Sequence, residues 1–281
     1  MNFGKMRFLL IVLLTFNLTK SFGQTISGRV VDESTGEALE YVNIRVVSRN
    51  IGTVSLRNGE FILNIPNVSK KDTVRFTYIG YKTVSHLVDF FYPTTQQIIK
   101  LKPEPHILDE VIVVAKSETQ ILGNPKVGRR YTGWGDFKSL RGRIRGLLIE
   151  GAECPVKVKS VSFRINHNEW DSVAFRINMF EVEGNMPRKS LLKENLFVTT
   201  DKKHKWVKVD LNNMNLAICK RTVVTVEWVD AWGKTGEYSN LLTLSLGKNS
   251  GFLFSQEPGE ELGTLSQEKF PPAIILEVYK D

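Results

Sequence analysis

Apolar and polar residues alternate with a period of two along most of this chain, the spacing of extended strands with one buried face. In residues 40–47, Val42, Ile44 and Val46 fall on one face, and Tyr41, Asn43, Arg45 and Val47 on the other. Residues 26–31 are a short run of strand-formers, closed by the turn cluster Asp32-Glu33-Ser34-Thr35-Gly36. Gly52-Thr53-Val54, Asn58-Gly59 and Phe61-Ile62-Leu63-Asn64-Ile65 predict strand, hairpin turn and strand. Asn-Gly supplies the positive φ angles that a tight hairpin needs. Further strands are predicted over 73–78 and 96–101, after which Pro103 and Pro105 remove ladder donors.

A polar, turn-rich stretch over 118–130, including Gly123-Asn124-Pro125, marks a domain boundary. Beyond it the alternation resumes. Val158, Val161, Phe163 and Ile165 form one set, and Val173, Phe175, Ile177 and Met179 a second. Val207, Val209 and Leu211 form a third, and Val224, Val226 and Trp228 a fourth, with strands over 240–246 and 273–279 to finish. No stretch keeps a helical apolar period over three turns. The number and spacing of the strands suit a jelly-roll-like sandwich in this half.

The order G-R-V-V-D, G-E-A-L-E-Y-V-N-I, G-T-V-S, N-G-E-F and F-T-Y-I-G-Y-K-T in the front part of the chain resembles the carboxypeptidase-regulatory-like domain. That domain is a sandwich found beside zinc carboxypeptidases. In Bacteroidetes-type envelope proteins it also stands before many TonB-dependent outer-membrane receptors. The resemblance implies an all-β chain, with an N-terminal transthyretin-like (prealbumin-like) β-sandwich followed by the jelly-roll-like β-sandwich. The expected domains are a signal peptide at 1–23, the first sandwich at 24–103, a linker at 104–128 and the second sandwich at 129–281. Ser55-Leu56-Arg57-Asn58 stands where the family usually has an acidic turn, which argues against calcium there, since calcium needs clustered oxygen ligands. The segment L-D-E-V-I-V-V-A, within 107–115, is similar to the junction that leads into the plug and barrel of such receptors. The residues after it are too few for a plug and barrel, so it reads as an edge strand, a linker or a contact segment for TonB-linked uptake. The second half resembles the C-terminal part of uncharacterised Bacteroidetes-type proteins, which carry no activity to transfer.

The first 23 residues change the picture of location. Lys5 and Arg7 precede an apolar core at 8–16 that is too short to span a bilayer, and Ser21-Phe22-Gly23 is a small-x-small cleavage site before Gln24. The alternative is a buried helix. Without a cysteine at the cut, this is no lipoprotein signal. The expected location is the periplasm or the outer-membrane surface of a Gram-negative bacterium, with no transmembrane span after signal removal. The net charge is +8, and Lys5, Arg7 and Lys20 of the leader supply part of it. Solubility accounts for so mild an excess as well as an anionic partner does, and nucleic acid is not expected for an exported chain. Cys154 and Cys219 are the two cysteines. In an oxidising compartment they form either a disulfide or two buried thiols.

Motifs for catalysis are sparse. His86 with Asp89, and His106 with Asp109, have a spacing that in an extended segment sends the two side chains to opposite faces, so no metal is expected. No nucleophile elbow, phosphate-cradling glycine loop or dinucleotide fingerprint is present, and no cofactor is expected. Arg141, Arg143 and Arg145, at spacing two, would line one strand face as an anion surface or a solvated face. Trp134, between two glycines, and Trp232, before Gly233, read as loop tryptophans that either stack on a sugar ring or tuck against the sandwich. Trp228 reads as core, and Trp170 and Trp206 are left open. The leading expectation is a non-catalytic binding or assembly module for a glycan or envelope protein. The competing classes are a hydrolase using paired carboxylates in the second domain and an accessory to TonB-linked uptake.

Overall fold

The computed structural model describes residues 24–280 except 48, 93–95, 105–117, 135–140, 204, 234–241 and 261–262, with side chains at 151–154, 189, 220 and 264 also left aside. The expected signal peptide and the segment at 107–115 therefore lie outside the described residues.

The front sandwich is built from β1 (Gln24–Asp32), β2 (Asn43–Val46), β3 (Gly52–Val54), β4 (Glu60–Ile65), β5 (Thr73–Thr77), β6 (Val84–Leu87) and β7 (Gln97–Leu101). One sheet runs β4-β1-β7 and the other β3-β2-β5-β6. Their inner faces carry the alternating apolar set, with Ile26, Val30, Ile44, Phe61, Leu63, Val74, Phe76 and Leu101 in one core.

The expected hairpin is corrected. β3 pairs with β2 and β4 pairs with β1, so the Asn58-Gly59 turn carries the chain from one sheet to the other. The tight turn itself forms: Gly59 sits at φ +79°, and its N–H donates to Leu56 O at 2.8 Å. Ser55 decides where β3 belongs. Its buried hydroxyl donates to Leu39 O at 2.8 Å and accepts from Val42 N at 2.9 Å, which ties this segment to β2.

The second sandwich contains β8 (Thr119–Gly123), β9 (Val127–Gly133), β10 (Ile144–Asn168), β11 (Ser172–Glu183), β12 (Met186–Ser190), β13 (Leu196–Asp201) and β14 (Trp206–Asp210). It continues with β15 (Ala217–Trp232), β16 (Leu242–Gly247), β17 (Gly251–Gln256), β18 (Thr264–Glu268) and β19 (Ile274–Tyr279). β10 is its hub. The strand runs 25 residues, pairing first with β15 and β17, then with β14 and β19, and last with β16. A register shift between Val158 and Ser160 explains an irregularity in the sequence. Val158 and Val161 are three apart and both belong to the core, which an unbroken strand would forbid and a bulge allows.

The linker boundary also moves. β8, inside the expected linker, pairs with β19 from Thr119↔Tyr279 to Gly123↔Ile275. It reads as polar because it is an edge strand with an exposed face, and Ile121 is largely in solvent.

Cys219 is disulfide-bonded. Register pairs Ala152 with Lys220 and Val156 with Ile218, which brings position 154 of β10 opposite it. Alkylation of unreduced, unfolded protein should add no mass, whereas two modified thiols would contradict a Cys154–Cys219 bond.

One carboxylate ties four strands of the second sandwich together. Glu277 on β19 accepts from Lys159 and Ser160 on β10, Lys208 on β14 and Thr119 on β8, at 2.9, 3.1, 2.9 and 3.2 Å. Lys159 first, then Lys208, holds its carboxyl down at about 2, below the ordinary 4.5. A carboxyl depressed on folding stabilises fully above its unfolded value and loses that contribution as pH falls through the folded one. Glu277→Gln should therefore flatten the stability–pH curve between about 4.5 and 2, measured by urea unfolding across that window. An unchanged curve would show that the network contributes nothing.

Candidate functional site

Strands β11 and β15 depart from simple alternation in a way that locates the site. Val173, Phe175, Ile177 and Met179 face the core as expected, but Ala174, Arg176 and Asn178 on the opposite face are buried as well. Thr225, Glu227 and Val229 of β15 are likewise buried opposite Val224, Val226 and Trp228. A sheet face that should meet water is covered by the front sandwich.

The contact centres on an ion pair. Arg176 and Glu227 are register partners, with side chains 2% and 1% exposed. Arg176 Nε donates to Glu227 Oε2 at 2.8 Å and Nη2 to Oε1 at 2.7 Å, a bidentate fork. The remaining donor directions cross to the front sandwich: Nη1 reaches Tyr41 O at 2.8 Å and Nη2 reaches Asn43 Oδ1 at 2.7 Å. Burial pushes the Glu227 carboxyl above its ordinary range, and Arg176 opposes that shift.

Tyr41 completes the clamp. It holds φ +57°, a left-handed conformation that costs a non-glycine residue roughly 1–2 kcal/mol. In return its carbonyl meets Arg176 and its hydroxyl donates to Asp230 Oδ2 at 3.1 Å. Its ring packs with Val54, Ala174 and Val229, edge-on to Phe197 at 5.1 Å. Burial raises both the Tyr41 phenol and the Asp230 carboxyl above their ordinary values. At a separate contact Gly259 and Gly52 meet backbone to backbone. A Cβ on Gly259 would lie 2.2 Å from Ile51 C, and one on Gly52 would lie 2.5 Å from Gly259 N. Asn195 Nδ2 adds a bond to Ile79 O at 3.2 Å.

Between these contacts lies a cleft of about 500 Å³. The front sandwich contributes Asn43, Arg45, Thr77, Tyr78, Tyr81 and Glu104 to it, and the second sandwich Arg176, Asn178, Phe180, Arg188, Phe254 and Glu257. Burial pushes the Tyr78 phenol up to about 12. Burial and the bond from its hydroxyl to Asp32, 2.7 Å, do the same for Tyr81. Both phenols are therefore neutral near pH 7. The two rings stand 5.4 Å apart and tilted.

The structure disperses the residues singled out from sequence. Arg141 lies in a turn before β10 rather than on a strand face, and burial lowers its pKa. Arg143 Nε donates to Glu257 Oε2 at 2.6 Å, and Arg145 Nη2 to Glu257 Oε1 at 3.2 Å. This corrects the anion-surface reading, because one internal carboxylate already answers both guanidinium groups. Trp134 is fully buried, 5.5 Å from Phe175, and offers no face to a ligand. Its peptide explains the position: the N–H donates to Leu242 O, and the carbonyl accepts from Arg143. Trp232 is half-buried against the Tyr41 cluster, so it serves the domain contact. Arg176, Glu227 and Tyr41 were missed. The signal available was a single charge inside an otherwise uncharged strand, in V-A-F-R-I-N-M and in V-T-V-E-W-V.

His86 stacks on Phe90 at 4.2 Å, and Asp89 pairs with Lys70 at 2.9 Å. Among the described residues no group of three His, Cys, Asp or Glu side chains is placed to hold a metal ion. Among them also, no helix is long and apolar enough to cross a membrane.

Residues 26–113, a stretch that takes in most of β1 and all of β2 to β7, match the model of the CarboxypepD_reg-like domain, so the front sandwich is similar to that domain. No curated protein matches the chain. Among solved structures the chain is similar to "The crystal structure of the cysteine protease and lectin-like domains of Cwp84, a surface layer associated protein of Clostridium difficile". Identity is 10%, with 93% of this chain and 59% of that chain covered and a TM-score of 0.38. At that distance no function transfers, and this chain spans less than two thirds of the other.

Arg176→Met should cost about 3–5 kcal/mol in urea unfolding, because it strands a buried carboxylate. The double variant Arg176→Met/Glu227→Leu should recover part of that loss, because it removes both charges. A single-variant cost below about 1 kcal/mol, the range of exposed pairs, would mean that the pair contributes no more than a surface bridge.

Proposed function

We propose that the chain is an exported, non-catalytic binding module of the cell envelope that holds a glycan or a segment of an envelope protein in the interdomain cleft. The observation that carries this reading is the cleft itself. Its walls come from both sandwiches, and they combine neutral phenols, amides and aromatic rings with the arginine-bound Glu227 and Glu257 and the exposed Glu104. Glu227 is bound by Arg176, and Glu257 by Arg143 and Arg145. A glycosidase needs one carboxyl free to deliver a proton and a second free to attack or activate water. Glu227 and Glu257, both bound by arginine, suit a wall better than either task. The CarboxypepD_reg-like domain supports the same reading, and the leader pattern of residues 1–23 supports export to the periplasm or outer surface.

Arg188 and Glu104 are exposed residues on opposite walls of the cleft. In a glycan array and an envelope pull-down, Arg188→Ala/Glu104→Ala should weaken capture of whatever the natural chain binds by about tenfold, a loss of about 1.4 kcal/mol, with the melting temperature unchanged. Equal capture by both proteins would remove the cleft from the account. Turnover of an envelope glycan or peptide that is lost on changing one acid would replace binding with catalysis.

A further inference from the structure

We propose that the groove between β13 and β14 is a second, separate binding site, which takes a ring of a neutral saccharide stacked on Trp206. This goes beyond the cleft and does not depend on it.

Of the five tryptophans, Trp134 and Trp228 are buried and Trp170 and Trp232 half-buried, whereas Trp206 is 37% exposed. It stands at the start of β14, which is paired with β10 from Arg164↔Trp206 to Ser160↔Asp210. Residues 198–201 of β13, which pairs with β11, line the same groove. The two strands follow one another in the chain, and the groove lies between them. Its volume is about 380 Å³, and its polar lining is Ser172, Thr199, Thr200, Asp201 and Lys208.

The chemistry of that lining selects the ligand. Among the described residues the Trp206 indole N–H and the hydroxyls of Ser172, Thr199 and Thr200 have no hydrogen-bond partner in the chain. They are donors and acceptors still available around an exposed aromatic face. Among the described lining residues the one cation is committed, since Lys208 Nζ binds Glu277 at 2.9 Å. Asp201 accepts from Lys203 N at 2.8 Å. An anionic ligand therefore finds no open cation among the lining residues. A neutral pyranose matches on both counts: its C–H face lies on the indole while its hydroxyls meet the serine, threonines and aspartate. Paired β-strands hold the ring, so the platform is set before any ligand arrives.

The test is titration of the full chain with cello-, xylo- and manno-oligosaccharides, followed by calorimetry and indole fluorescence. At least one should bind and shift the emission. Trp206→Ala should weaken it about tenfold or more, Trp206→Phe should retain part of the affinity, and neither should move the melting temperature. Arg188→Ala/Glu104→Ala in the cleft should leave this affinity unchanged. Binding by none of the oligosaccharides, or equal binding by Trp206→Ala, would overturn the proposal. Loss in the cleft variant with no loss in Trp206→Ala would place the sugar in the cleft, and the Trp206 site would fail while the cleft reading stood.

Discussion

Arg176 and Glu227 form an ion pair on neighbouring strands, and almost none of either side chain meets water. Desolvating two charges is expensive, and only good geometry with further hydrogen bonds offsets it. The geometry here is a bidentate fork, and the further bonds come from the other sandwich, through the Tyr41 carbonyl and the Asn43 amide. The arrangement is directional in a way that the apolar contact around Val54, Ala174 and Val229 is not. Apolar surfaces tolerate sliding, whereas a guanidinium plane with assigned partners fixes one relative orientation. Tyr41 accepts an unfavourable backbone angle to supply two of the contacts, and the Gly52–Gly259 approach leaves no room for a Cβ at a second point.

The cleft follows from that fixed orientation. Its two walls come from different sandwiches: Tyr78 and Tyr81 stand on one, Phe180, Phe254 and Asn178 on the other. Burial keeps the two phenols neutral, Arg176 forks Glu227, and Arg143 and Arg145 bind Glu257. These properties suit recognition by shape and hydrogen bonding in a partly desolvated space.

Much of the fold was legible in period-two patterning, because a sandwich interior demands it strand by strand. Val173, Phe175, Ile177 and Met179 all face the core, as do Val224, Val226 and Trp228. Legibility failed where one face of a strand had two possible neighbours. The residues on either side of Asn58-Gly59 read as one hairpin, and only the Ser55 bonds to Leu39 and Val42 assign β3 to the other sheet. Edge strand β8 looked like linker because it has little to bury. The candidate site was almost wholly hidden. Arg176 and Glu227 read as residues on a solvated face until another domain covers that face, and no local pattern encodes the cover. Trp134 read as a loop tryptophan that either stacks on a sugar or tucks against the sandwich; it tucks inward, with its own peptide bonded to Leu242 and Arg143.

Differential scanning calorimetry of the natural chain tests the central claim most directly, namely that the buried pair makes one cooperative body of two sandwiches. The account expects a single endotherm whose calorimetric and van't Hoff enthalpies agree. Two separable transitions, one for each sandwich, would contradict it.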